Sequence, residues 1–315
     1  VREVFENDDK VVIISKKNGG KASALNYGIA ACSTDYIVCV DADTQLYKDA
    51  VSKLMKHFIA DKTGKLGAVA GNVKVGNQRN MLTYWQAIEY TTSQNFDRMA
   101  YSNINAITVI PGAIGAFRKD VLEAVGGFTT DTLAEDCDLT MSINEHGYLI
   151  ENENYAVAMT EAPESLRQFI KQRIRWCFGV MQTFWKHRAS LFAPSKGGFG
   201  MWAMPNMLIF QYIIPTFSPI ADVLMLFGLF SGNASQIFLY YLIFLLVDAS
   251  VSIMAYIFEH ESLWVLLWII PQRFFYRWIM YYVLFKSYLK AIKGELQTWG
   301  VLKRTGHVKG AQTIS

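Results

Sequence analysis

Three groups of residues, far apart in the chain, carry side chains able to hold a diphosphate, a cation and an attacking hydroxyl: Asp41-Ala42-Asp43, Glu135-Asp136 and Gln172-Arg173-Ile174-Arg175-Trp176. Asp41 and Asp43 follow an apolar run at 36–40, where the chain is about to leave a sheet, so both carboxylates can approach one hard cation. A solvated turn is the other reading of such a pair. Glu135 and Asp136 stand with Asp138 just before an apolar helical run, where acids favour the start of a helix. Asp136 could instead take a proton from a reacting hydroxyl as a general base. Gln172 and Arg175 are three apart and share a helix face, with Trp176 beside them. The planar fork of arginine suits a diphosphate, and tryptophan offers a platform for a sugar ring.

A fourth group is weaker alone. Lys16-Lys17-Asn18-Gly19-Gly20-Lys21 is a glycine-rich turn leading into a helix at 22–30, and free amides beside the Lys21 ammonium can face a phosphate. Its spacing is not that of a P-loop, and an ordinary strand-to-helix turn explains it as well.

Elements that must position these groups are read from periodicity. Strands are expected at 11–14, 36–40, 66–75 and 107–118, the last broken by small residues that allow a ligand close to the backbone. Helices are expected at 22–30, 50–58 and 81–101, and from Arg118 to the Gly126-Gly127 pair. Strands alternating with helices predict an α/β fold with a mostly parallel sheet, which binds ligands at the carboxyl ends of its strands.

Hydrophobic residues make up 52% of the 315 and charged residues only 18%, yet the first half reads as a soluble domain, so the excess lies beyond about Pro205. Segments 207–230 and 237–258 hold one charge each, Asp222 and Asp248, and are long enough to span a bilayer. Intramembrane aspartates mark a pathway or a buried partner, so both are candidates for lining a polar conduit. Segment 263–285 is interrupted by Pro271, Gln272, Arg273 and Arg277. The basic tail after it, which includes Lys303, Arg304 and Lys309, belongs in the cytoplasm. With the first half also cytoplasmic, an even number of crossings is required, and 263–285 reads as re-entrant, broken or interfacial. Helix 166–188 is apolar on one face and cationic on the other, as for a helix lying among headgroups with its apolar face in lipid. A net charge of +3 does not argue for nucleic acid as a partner. Cys32, Cys39, Cys137 and Cys177 show no metal or disulfide spacing and are expected to be reduced thiols.

Taken in order, Asn18 to Asn26, Asp41-Ala42-Asp43, Gly112 to Arg118, Glu135-Asp136 and Gln172 to Trp176 resemble the processive family 2 glycosyltransferases: cellulose, hyaluronan, chitin-oligosaccharide and poly-N-acetylglucosamine synthases. The tail at 299–306 and the span carrying Pro215, Pro219 and Asp222 look most like the poly-N-acetylglucosamine group. The resemblance implies a GT-A domain over 1–162, an interfacial region over 163–204, and transmembrane helices with a cytoplasmic tail over 205–315, in the cell membrane. It implies Mg²⁺ or Mn²⁺ on Asp43, assisted by Asp41, and a donor diphosphate held by Lys21, Asp41, Gln172 and Arg175. Asp136, with Glu135, would be catalytic, and Trp176 would stack on the acceptor. The implied partners are a UDP-sugar, UDP-N-acetylglucosamine first, a polysaccharide acceptor, the lipid bilayer and an accessory membrane or export subunit. Inversion at the anomeric carbon would give a β-linked polymer.

Two departures stand out. The family's Thr-Glu-Asp reads Ala134-Glu135-Asp136, losing a hydroxyl and keeping both acids. The family's first strand and its uridine-binding aspartates should precede Val1, so the chain is expected to be a fragment that binds donor poorly. Rival readings are a non-processive transferase acting on a lipid-linked acceptor and an inactive transferase-like membrane scaffold.

Overall fold

The computed structural model describes Phe5 and residues 8–293 apart from Asn233; the expected features of the tail from Trp299 onward lie outside them. Five strands form one sheet in the order β1 (Tyr36–Cys39), β4 (Gly115–Arg118), β3 (Leu66–Val75), β5 (Leu149–Thr160), β2 (Gln45–Leu46). β3 and β5 run parallel; the β1–β4, β3–β4 and β2–β5 pairs run antiparallel. The α/β class stands, but the sheet is mixed rather than mostly parallel. Strand direction depends on the end of the sheet at which each loop returns, and strand-helix alternation does not record that.

The expected strand at 11–14 is not formed. Val12 is 79% exposed there, and among the described residues no strand lies alongside to accept a ladder. The expected strand over 107–118 is confined to β4; residues 106–114 form a loop held by a turn from Pro111 O to Ile114 N.

Both faces of the sheet are covered, which is why β3 is buried along nearly its whole length. Ala68 and Ala70 face a core built with helices α1 (Gly20–Ala31) and α6 (Glu135–Glu145), through Ile29, Leu139 and Ile143. Val69 and Val73 face α2 (Ala50–Ala60), whose Leu54 is fully buried. Each buried valine, leucine or isoleucine among them contributes about 1.5–3 kcal/mol. The expected helix over 81–101 is α3 (Met81–Glu89), a π-helical turn (Tyr90–Phe96) and α4 (Asp97–Ser102) in one continuous rod. α5 (Lys119–Ala124) follows β4.

Helix α7 (Leu166–Lys186) carries the glutamine-arginine-tryptophan stretch, capped at its start by the Ser165 hydroxyl accepting from Gln168 N. Phe169 and Phe178 on its apolar stripe are buried in protein, and so is the cationic Arg173. The middle of the helix is therefore packed between the sheet domain and the helices that follow, while Leu166 and Trp185 near its ends are exposed. Beyond it, helices Phe199–Phe230 and Ala234–Phe258 are long and apolar enough to cross a membrane. The first contains α8 (Ile214–Phe230) and runs straight through the expected boundary at 204–205; the second is α9. Phe217, Leu224, Phe227, Phe238 and Leu246 are all more than half exposed on them, as side chains facing lipid would be. The interrupted segment folds as a short 3₁₀ turn (Leu263–Trp268) and then α10 (Ile269–Ile292), packed on α7.

Candidate active site

β1 ends at Cys39, and the chain then closes a turn in which Thr44 N donates to Asp41 O (3.0 Å). That turn holds Asp41 and Asp43 at the lip of a cavity of 1580 Å³. Helix α6 starts at Glu135, so Glu135 and Asp136 do lie in its first turn, where free amides favour acids. The capping position and the cavity coincide: both side chains line it. α1 starts at Gly20, whose N donates to Asn18 Oδ1 (3.1 Å), and presents Lys21 to the same space.

Lys21 binds these acids together. Its Nζ lies 2.6 Å from Asp41 Oδ1 and 3.3 Å from Glu135 Oε1. Burial works against the Lys21 charge, but Asp41, Asp136 and Glu135 outweigh it and hold the ammonium above the ordinary lysine value. The Glu135 carboxyl is pushed up to about 7, first by burial and then by the Asp136 charge, against the pull of Lys21. Asp136 Oδ1 accepts from Cys137 N (2.8 Å). Opposite lies Gly112: a Cβ there would be 2.4 Å from Lys21 Nζ and 3.6 Å from both Asp136 Oδ2 and Asp41 Oδ2. The two carboxyl oxygens are thus no more than twice that last distance apart, and a side chain at 112 would displace the Lys21 ammonium from between them.

The opposite wall is α7. Gln172, Arg175 and Trp176 line the cavity, with Gln172 buried and its Oε1 without a hydrogen-bond partner. Gly179, one turn further, sets α7 against the start of α6, since a Cβ on it would meet Ala134 N at 2.8 Å. All eight residues expected at the site, Lys21, Asp41, Asp43, Glu135, Asp136, Gln172, Arg175 and Trp176, therefore line one cavity.

Other lining residues were not foreseen. Arg98 on α4 is buried; its Nε and Nη1 donate to Val109 O (3.2 Å) and Gly71 O (3.3 Å), and burial lowers its pKa to about 10. From α10 come Gln272, Arg273, Tyr276, Arg277 and Tyr281, so the cavity continues from the acids to the apolar helices. The signal for Arg273 and Arg277 was present, as charges inside an apolar run. For Arg98 there was none. Asp222 and Asp248, expected to line a conduit, instead pair with Arg277 and Arg273. The cations, not the acids, are among the lining residues.

Carboxylates suit a hard cation that also takes substrate oxygens, and Mg²⁺ is commonly held by one or two of them plus phosphates. The pair Asp41 and Asp43 fits that donor set. Among the described residues no group of three or more potential protein ligands forms a cage.

A poly-beta-1,6-N-acetyl-D-glucosamine synthase of Staphylococcus aureus (strain COL) is 35% identical over 179 residues, 57% of this chain and 43% of that protein. The synthase of the same name from Staphylococcus epidermidis is 34% identical over 189 residues, 59% of this chain and 45% of that one. The chain spans less than half the length of these curated relatives. A mannosyltransferase from Pyrobaculum calidifontis, solved with GDP-Man and Mn²⁺, superposes with a TM-score of 0.60 over 94% of this chain and 74% of its own, at 20% identity, which shows the GT-A fold. The family model for glycosyl transferase family group 2 matches residues 36–289, from β1 into α10. The chain is a member of that family, a family 2 glycosyltransferase.

Proposed function

We propose that the protein transfers N-acetylglucosamine from UDP-N-acetylglucosamine to the end of a growing β-1,6-linked polysaccharide, with inversion. The observation that carries this reading is the single cavity in which the acids, Lys21, Arg175 and Trp176 meet, continuous with one side of the candidate membrane span Phe199–Phe230 and with α10. Asp136 takes the proton of the acceptor hydroxyl as its oxygen bonds to the anomeric carbon. The bond from that carbon to the diphosphate oxygen breaks on the opposite side, and UDP leaves with the electron pair. Arg175 and Lys21 stabilise the negative charge growing on that oxygen, where fixed cations lower a barrier most. Glu135 holds Lys21 and Gln172 orients the donor. Trp176 stacks on the terminal acceptor sugar. Asp41 and Asp43 would hold Mg²⁺ or Mn²⁺, which supplies further charge neutralisation to the departing diphosphate.

Relatives named as synthases of this polymer support the choice of sugar and linkage. The polymer would pass from the cavity along Arg273, Arg277 and Tyr281 and out between the apolar helices, with the sheet domain on the cytoplasmic side. An accessory membrane or export subunit would complete that path.

The test is Asp136→Asn in the intact protein in membranes. Polymer made from radiolabelled UDP-N-acetylglucosamine should fall by about 10²–10⁴-fold, the range for loss of a general base. Unchanged output would exclude Asp136 and return the chain to the scaffold reading. Products of one added sugar would favour the non-processive one.

A further inference from the structure

Trp176 has a second arginine beneath it. Arg173 is 5% exposed, and its guanidinium lies 4.7 Å from the centroid of the Trp176 ring and 4.9 Å from that of Phe169. Its Nη1 donates to Glu89, whose other carboxylate oxygen accepts from the Tyr276 hydroxyl. Nε and Nη2 are buried with no hydrogen-bond partner, a costly state for donors on a cation. The two rings account for it, because an aromatic face attracts a cation that has lost its water.

The cluster joins three elements. Glu89 ends α3 where the rod widens into its π-helical turn, Arg173 is on α7, and Tyr276 is on α10. All three side chains line the cavity with Trp176. We infer that Arg173 is a positioning residue: Glu89 and Tyr276 fix its guanidinium, and the guanidinium fixes the indole on which the acceptor sugar stacks. The acceptor subsite is thereby tied to α10. Lysine reaches Glu89 and keeps the charge but has no planar face to lay against the ring.

This inference rests on the acceptor role proposed for Trp176, and the experiment separates the two. Initial rates are measured in membranes holding the intact protein, with UDP-N-acetylglucosamine as donor and a β-1,6-linked N-acetylglucosamine pentamer as acceptor. Arg173→Lys should raise the KM for the pentamer about fivefold, the worth of one such contact, with the donor KM and the thermal midpoint in detergent unchanged. If Trp176→Ala raises the pentamer KM and R173K does not, the positioning role is overturned. If R173K raises both KM values by one factor, Arg173 is merely structural and the inference is again overturned. If W176A itself leaves the pentamer KM alone, the acceptor reading fails and the inference falls with it. Should R173K not fold, Tyr276→Phe must show the same split, and wild-type KM values in Y276F would overturn the proposal.

Discussion

Lys21 is what allows three carboxylates to share one small space. Asp41 and Glu135 both reach it, and Asp136 acts on it from close by. Without that cation, burial and the Asp136 charge would drive a proton onto Glu135 unopposed. Gly112 keeps that ammonium in place. A methyl at 112 meets the free end of a flexible side chain rather than backbone, so Lys21 can swing aside cheaply. Gly112→Ala should therefore cost stability less than about 1 kcal/mol, the scale of a substitution the structure can absorb. Donor KM should rise about tenfold as Lys21 leaves Asp41, since one charged contact is worth roughly 1.4 kcal/mol or more. Thermal unfolding in detergent alongside donor titration checks this, and a large fall in the midpoint would show that the loop itself had moved.

At the scale of elements, the comparable glycine has the opposite character. A Cβ on Gly179 would press on Ala134 N and the Leu133 carbonyl carbon, both backbone and both within 3 Å. α7 must then retreat from the start of α6, carrying Arg175 and Trp176 away from Asp136. Gly179→Ala should lower both the thermal midpoint and polymer output, with a destabilisation of about 1–3 kcal/mol typical of overpacking. A midpoint equal to wild type would mean that the two helices do not rely on this contact. The far end of the same helix pair is held by charge. His187 bonds to Asp138 (2.9 Å) and Glu145 (2.8 Å), with His187 and Asp138 buried and Glu145 partly so. Burial opposes its charge, yet the two carboxylates raise its pKa to about 9. A group raised on folding contributes stability that is complete below its unfolded value near 6.5 and is lost as pH rises through 9. The loss is on the order of 3 kcal/mol. Unfolding midpoints between pH 6 and 10 should fall in the wild type, and His187→Gln should flatten that slope. These contacts also mark the limit of the sequence reading. Asp41, Asp43 and the Gln172 to Trp176 stretch were legible because each sits at an element's end or on one helix face, a local pattern. Arg98, Glu89 and Tyr276 were not, because their roles come from elements that meet only after the chain has folded. The Val11 to Ile14 run was read as a strand from composition, but a strand also needs a neighbour.

Across the whole molecule, the link between the sheet domain and the apolar helices runs through α10. Arg277 pairs with Asp222 of α8, where Tyr281 also donates to Asp222 Oδ2 (3.1 Å), and Arg273 forms two bonds to Asp248 of α9. Each acid is the one formal charge of its span and is used up in holding α10, leaving the arginine side chains to face the cavity. The pairs thus do two jobs that mutation can separate. Asp222→Asn leaves Arg277 uncompensated at a buried place among apolar helices. The partial exposure of Arg277, 30%, reduces the cost from the full value of a broken buried pair to about 2 kcal/mol. Adding Arg277→Gln removes the stranded charge and should restore the midpoint. It should not restore polymer output, because the cavity has then lost a cation on the route proposed for the sugar chain. Thermal midpoints in detergent and polymer yield in membranes, measured for D222N and for D222N with R277Q, check both halves. Full output from the double variant would show that Arg277 only braces α10 and that the polymer takes another path.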